Sequence, residues 1–463
     1  MKKIICLLFA GVTLSFSSQW STAILPSNVS SYLYETGFVS SGGLKYFLTT
    51  GYDSISGAYK VYLVSGSGSS WSRNSAPVEQ LSASEYFDGG GHNIAVGKNG
   101  NIHVLYVTGN YATSTYLYDL KYAKWNGSVW SSTTVVSNST DYLYEPAIAV
   151  NTTDDMAHLV YSSGTSILLY TNTQKLSTAS SAETVTGAYS YDGCPVSLDS
   201  LGNVIIGAGS NTGGIGVYKK SGSWAEAGKI SGNPYYFALV TSGRLVYVPF
   251  DDYTNEDVKC GVLNGSASAI VDVDAGMPKV GNYIQGAVDS KGTVHLVYYD
   301  YSFDDLKYAR SSPSGWTVQV LDSSGKVGRN PAICIGQDDS IHILYYDETN
   351  YQTKYTYASA TSTVTSAAIP PDVTLINNVF KPLKNENVEV KVDVNSAGVL
   401  KISLYSPQNK LIKVLADEVK DAGKYSFYWN GSNSDGETIA SGFYFVVIEN
   451  GGARLTKKVV VVK

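Results

Sequence analysis

Tyrosines and carboxylates recur together where loops run into apolar stretches. Tyr32-Leu-Tyr-Glu35 returns as Tyr142-Leu-Tyr-Glu145, and Tyr189-Ser-Tyr-Asp192 is a third version. Tyr86-Phe-Asp88, Tyr235-Tyr236 and Tyr283 stand at matching points, while Asp251, Asp252, Asp300 and Asp347 end apolar runs. A tyrosine presents an apolar ring face and a hydroxyl at its edge. A carboxylate accepts hydrogen bonds from sugar hydroxyls or ligates Ca²⁺. Tyr34, Glu35, Tyr142, Tyr144, Glu145, Tyr191, Asp192, Tyr236, Tyr283, Asp300 and Asp347 are therefore expected to ring a ligand-binding mouth. The same repetition suits packing between neighbouring repeats, and both readings stay open at this level.

Acid–base chemistry needs residues that are not repeated. His103, His158, His295 and His342 occupy one point of a recurring strand, which spreads them apart and points to a structural role. His92 stands where a loop enters a strand, and Arg329 is placed similarly. His92, with Tyr142 or Tyr144 and Arg329, is the best proton-transfer set. Glu35, Glu145 and Asp192 are candidates for a glycosidase pair, which needs two acids about 5–9 Å apart. Val273-Asp-Ala-Gly276 and the stretch 430–437 lack the full spacing of calcium loops and read as turns. Zinc spacing, a nucleotide loop and a local nucleophile signature are missing. No metal or cofactor is expected, Ca²⁺ having only these incomplete loops in its favour.

The elements that must position these residues are strands. Pro331-Ala-Ile-Cys-Ile-Gly-Gln-Asp-Asp-Ser-Ile-His-Ile-Leu-Tyr-Tyr-Asp347 and Gly286-Ala-Val-Asp-Ser-Lys-Gly-Thr-Val-His-Leu-Val-Tyr-Tyr-Asp300 are two copies of one phrase. Each is a small-apolar strand, a turn, then an apolar strand ending in tyrosine. An all-strand repeat of about 40–57 residues predicts a radial array. First strands near Thr36, Asn93, Pro146, Pro195, Tyr235, Gln285 and Pro331 predict a seven-bladed β-propeller. Trp71, Trp130, Trp224 and Trp316 open fourth strands. Trp20-Ser-Thr-Ala-Ile-Leu25 has that pattern ahead of the first blade, so it is expected to complete the last one; residues 363–367 are the alternative. Past Pro370-Pro371, alternating runs over 375–463 predict an Ig-like β-sandwich. The expected divisions are a signal peptide 1–17, propeller 19–369, linker 370–374 and sandwich 375–463.

Lys2 and Lys3 followed by the apolar run 4–14 have the form of a secretory leader, too short to span a bilayer. A secreted or cell-surface monomer without a transmembrane span is expected. The net charge of −6 argues against nucleic acid, which requires a basic footprint. Cys194, Cys260 and Cys334 are too few and too scattered to imply a disulfide framework.

The repeats at 20–369 resemble the BNR/sialidase-like secreted propellers, on the Asp-Ser-x-Gly-x-x-His-x-x-Tyr phrase (289–298) and the Leu-Lys-Tyr-Ala phrase (120–123 and 306–309). Sialidase activity is not implied. The Ser-x-Asp-x-Gly-x-x-Trp box is not intact, and Arg73, Arg244, Arg310 and Arg329 do not form the needed triad. Gly91-His-Asn-Ile-Ala95 resembles one motif of propeller polysaccharide lyases. The C-terminal segment resembles the Ig-like domain of the flagellar hook-capping family. The residues that carry this are Asn378-Val-Phe-Lys-Pro382, Trp429-Asn-Gly431, Asp435-Gly436, Ser441-Gly-Phe-Tyr444 and the basic end Lys457-Lys-Val-Val-Val-Val-Lys463. Its terminal strand is also similar to type-nine secretion sorting domains, which implies secretion machinery as a partner. The leading expectation is a binding protein for an extracellular glycan or surface protein. A lyase or glycosidase on the same face is the alternative, and a scaffold without a small ligand is the third reading.

Overall fold

The computed structural model describes residues 20–463 apart from 28–35, 54–57, 83, 89, 113–114, 144–145, 165–166, 178–181, 186, 190–193, 211–212, 233, 266, 276–279, 313–314, 360–371, 395–397, 407–409 and 451–452. Its architecture is all-β: a β-propeller followed by an Ig-like sandwich. Among the described residues, seven antiparallel sheets occupy 39–80, 85–139, 147–184, 188–230, 234–274, 280–322 and 327–358, numbered here as blades one to seven. The last gains its outer strand from the N-terminal side, where Ser21–Ile24 lies antiparallel to Gln352–Ala358 with Ser21 opposite Tyr357. The competing segment 363–367 lies outside the described residues.

Seven apolar clusters join the sheets into a ring. Phe47 and Val64 of blade one meet Leu344 and Tyr355 of blade seven. Leu48 and Val61 meet Val104 and Tyr106 of blade two. Leu105 packs with Leu159, Val160 with Ile206, Ile205 with Val248, Cys260 with Leu296, and Val297 with Ile343. Second strands such as Val294–Asp300 and Ile341–Asp347 are buried along their whole length, because neighbouring blades cover both faces. Each buried aliphatic side chain contributes about 1.5–3 kcal/mol. Cys194, Cys260 and Cys334 are buried free thiols inside these layers.

The recurring phrases have a structural meaning. The strand-two histidine bonds through Nδ1 to the hydroxyl of the strand-three tyrosine: His103 to Tyr122 at 2.7 Å, His158 to Tyr170 at 2.8 Å, His295 to Tyr308 at 2.6 Å and His342 to Tyr355 at 2.6 Å. In three of the four copies the tyrosine of His-x-x-Tyr donates to an acid of the preceding blade. Tyr106 reaches Glu79, Tyr298 reaches Asp274 and Tyr345 reaches Asp322, each at 2.9 Å. The lysine of strand three joins the same acids, Lys121 at 3.2 Å, Lys307 at 2.9 Å and Lys354 at 3.0 Å. His-x-x-Tyr and Leu-Lys-Tyr-Ala are therefore one blade-to-blade staple written in two strands.

In the sandwich, Asp372–Ile376, Val388–Val394 and Gly423–Trp429 form one sheet, and five strands including Gly398–Tyr405, Gly442–Asn450 and Ala453–Val461 form the other. Buried Trp429 packs edge-on against Phe380 and Tyr444. Gly431 holds φ +75°, and a Cβ there would come within 2.5 Å of Pro382, so Trp429-Asn-Gly431 and Asn378-Val-Phe-Lys-Pro382 meet at a spot where only glycine fits. Gly442–Asn450 is apolar on both faces: Tyr444, Val446 and Ile448 enter the sandwich core, while Phe445 and Val447 on the other face are also buried. On the propeller side Gly315–Asp322 lies beside Ala453–Val461, and the rings of Phe303 and Tyr405 stand 6.3 Å apart.

Candidate functional site

Loops that lead into first strands and out of second strands share one mouth of the ring. In blades five, six and seven the first strand carries an irregularity there. Register shifts fall between Pro234 and Phe237, between Asn282 and Gln285, and between Arg329 and Ala332. A bulge bends its strand and re-aims side chains. Tyr235, Tyr236, Tyr283 and Arg329 stand at or within these shifts. Tyr283 takes φ 56° and Asn330 φ 46°, left-handed conformations that persist where the surroundings impose them.

The result is an unbroken run of aromatic rings over two blades, five and six. Centroids are 6.4 Å apart for Tyr253–Tyr235, 4.8 Å for Tyr235–Tyr236 and 4.8 Å for Tyr236–Tyr283. The run goes on through Tyr283–Tyr299 at 6.5 Å and Tyr299–Tyr301 at 6.2 Å. The Arg329 guanidinium lies 5.9 Å from the Tyr299 ring and pairs with Glu348 at 3.3 Å. Beneath the first half of this run is a cleft of about 160 Å³ between blades five and six, lined by Tyr235, Asp251, Asp252, Tyr253, Glu256 and Tyr301 among others. The three tyrosines at its rim are 47%, 65% and 49% exposed in the order Tyr235, Tyr253, Tyr301.

Carboxylates build the cleft in two ways. Asp251 accepts the backbone N–H groups of Tyr235 at 2.8 Å and Tyr236 at 2.5 Å, fixing the bulge. Asp252 caps its own turn through Thr254 N and Asn255 Nδ2 and pairs with Lys259 at 2.8 Å. Burial works to raise the Asp252 pKa, but the Lys259 and Asn255 bonds outweigh it and hold the carboxyl below its ordinary value. Glu256 follows in a left-handed conformation, φ 60°, its amide bonded to Asp252 O at 2.7 Å.

The residues expected from the sequence divide three ways. Tyr236 and Tyr283 lie within the aromatic run. Tyr142 packs against blade two, donating its hydroxyl to Asp88 with its ring 4.9 Å from Tyr118. Asp300 and Asp347 do not line the mouth: both are wholly buried, paired with Lys307 and Lys354 at 2.8 Å each. They cap the loops beyond them, Asp300 through Ser302 N and Asp347 through Asn350 N. Tyr34, Glu35, Tyr144, Glu145, Tyr191 and Asp192 lie outside the described residues, as do residues 1–17, where a leader is expected.

His92, Tyr142 and Arg329 stand on different blades, and the contacts of each lead elsewhere. His92 sits at the channel mouth, its carbonyl accepting Ile148 N at 2.9 Å, and burial lowers its imidazole pKa to about 4. A Cβ on neighbouring Gly91 would lie 2.8 Å from the Gln285 amide of blade six, so the channel is narrow at this point. Asn93 accepts Gly37 N at 2.9 Å and so links blades one and two. Among the described residues, no group of three or more His, Cys, Asp or Glu is arranged to hold a metal ion, and Asp274 of the supposed calcium loop is taken by Lys307.

Two of the exposed tyrosines that sequence reasoning missed lie one step past acids that end second strands. Tyr253 follows Asp252, Tyr301 follows Asp300, and Tyr351, 80% exposed, follows the Asp347 turn. The repeated sequence acid-then-tyrosine at the exit of strand two was the available signal.

With this geometry established, comparison with known proteins adds the following. Residues 378–453 match the FlgD Ig-like domain. No curated protein matches the chain. Solved structures are similar at low identity. A fungal alcohol oxidase of the AA5 family in complex with copper is 14% identical at TM-score 0.47, covering 96% of this chain and 99% of its own. The β-propeller domain of the Trilobed protease from Pyrococcus furiosus is 10% identical at TM-score 0.42, covering 71% and 94%. The Aleuria aurantia lectin in complex with Fucα1-6GlcNAc is 11% identical at TM-score 0.38, covering 56% and 88%. Among the described residues no helix is long and apolar enough to cross a membrane.

Proposed function

We propose that this chain is an extracellular carbohydrate-binding protein that holds its ligand on the tyrosine-lined face of blades five and six. The observation that carries this reading is the cleft where Tyr235, Tyr253 and Tyr301 stand exposed around Asp251, Asp252 and Glu256. A sugar ring has an apolar face that stacks on a tyrosine and an equator of hydroxyls that donate to carboxylates. The tyrosines lose little conformational freedom on binding, because the bulges and Asp-capped turns already fix their backbones. The separation of His92, Tyr142 and Arg329 favours binding over acid–base catalysis.

Export is part of the proposal. The leader-like residues 1–17 and the FlgD Ig-like match at the C-terminal end support a chain that leaves the cytoplasm and uses its sandwich for attachment or sorting. The test is a glycan array probed with the mature protein and with the Tyr253→Ala/Tyr301→Ala double variant. Retention of specific glycans, weakened at least about tenfold in the variant (~1.4 kcal/mol), is the expected result. Release of new reducing or unsaturated ends from a bound glycan would make the protein an enzyme instead.

A further inference from the structure

The groove between blades one and two repeats the construction of the cleft between blades five and six. Its cavity, about 520 Å³, is lined by Thr50, Tyr59, Leu81, Glu85, Tyr86, Phe87, Asp88 and Tyr111. That volume falls within the ~300–1,000 Å³ of ligand pockets. The placement is equivalent in both grooves. Each takes residues from the second strand of one blade (Thr50; Asp251 and Asp252), from the first strand of the next (Glu85–Asp88; Val280 and Asn282) and from the loop after that blade's second strand (Tyr111; Tyr301). The chemistry is equivalent too. Tyr59 and Tyr111 are 55% and 50% exposed, matching the exposed rims of the other cleft, and Glu85 and Asp88 supply carboxylates. The acceptors are preset: Glu85 accepts Ser82 N at 2.7 Å, and Asp88 accepts the Tyr142 hydroxyl.

We infer that the blade one–two groove is a second carbohydrate site, so that one chain binds two sugar units of a single extended or branched glycan. This rests on the carbohydrate reading above. The two grooves lie three inter-blade positions apart on a ring of seven, nearly opposite each other across the mouth. Occupying both makes the second contact intramolecular, and avidity then exceeds either single affinity, by factors of about 10²–10⁴ in favourable geometry.

The test uses the mature full chain and the smallest mono- or disaccharide retained on the glycan array, titrated by calorimetry. Two molecules bound per chain are expected, falling to one in Tyr59→Ala/Tyr111→Ala and to one in Tyr253→Ala/Tyr301→Ala. A longer oligomer of the same sugar should bind at least about tenfold more tightly to the parent than to either variant. Tyr59→Phe/Tyr111→Phe keeps the rings and should keep the second site, which separates a lost contact from a disturbed fold. One molecule per chain, unaffected at Tyr59 and Tyr111 but lost at Tyr253 and Tyr301, overturns the second site and leaves the carbohydrate reading standing. An array with no retained glycan overturns both.

Discussion

Lys307 is buried between two carboxylates that belong to different blades, Asp274 at 2.9 Å and Asp300 at 2.8 Å. Removing one partner of a buried ion pair leaves an uncompensated charge, at a cost of about 3–5 kcal/mol. Lys307→Met is therefore expected to destabilise the propeller by that order, read as a lower midpoint in urea with an unchanged slope. The buried histidines set a different response. Desolvation lowers His158 to about 4 and His342 to about 3 from the usual 6.5. Below pH 6.5 the unfolded chain takes up protons that the folded one refuses, so stability falls as pH drops toward those values. The carboxylates follow at lower pH. Burial opposes it, yet bonds from Asn350 and Lys354 hold Asp347 at about 2, so its contribution is present above about 4 and disappears between 4 and 2. Acid unfolding should thus have a histidine limb between pH 6.5 and 4 and a carboxylate limb beneath it. The pair His158→Gln/His342→Gln should flatten the first limb alone, as measured by urea midpoints across pH.

Strands explain why some of this was legible in the sequence and some was not. The blade phrase was readable because alternation, a turn and a terminal tyrosine recur at a fixed spacing. The strand Ser21–Ile24 was readable for the same reason, since it copies the tryptophan-led pattern of other fourth strands. Direction was not readable where a strand is buried on both faces. Along Val294–Asp300 every residue is buried, so alternation gives no hint that Asp300 turns inward to Lys307 while Tyr301 turns out. The bulges were hidden as well, because a one-residue register shift leaves no mark in a run such as Gly281-Asn-Tyr-Ile-Gln285. The closing strand offers its own test. Leu25, just past it and 2% exposed, packs with Phe47 and Leu344. Leu25→Ala should cost about 2–5 kcal/mol, as a deep core truncation does. A loss near zero in calorimetric melts would mean that the seam contributes little to the ring.

For the whole molecule, the relation of propeller to sandwich decides how the cleft is supported. Phe303, which meets Tyr405, is two residues from Tyr301 at the cleft rim, and Asp304 takes the hydroxyl of Tyr299 within the aromatic run. The sandwich thus braces the loop that presents Tyr301. A double-mutant cycle of Phe303→Ala and Tyr405→Ala should give a coupling of about 0.5–1.5 kcal/mol, the range of aromatic pairs. Independent, additive effects in thermal melts would show the two parts to be merely tethered. The seam of the ring has a consequence in time as well as in space. Thr22 and Thr356 join hydroxyls at 3.1 Å across 334 positions of sequence. A ribosome delivers the earlier of these long before the later, so the first strand made has nowhere to settle until the seventh blade exists. A chain that stops short keeps an unpaired edge, the feature that invites aggregation and digestion. A completed chain therefore closes this edge, and an interrupted one leaves it open.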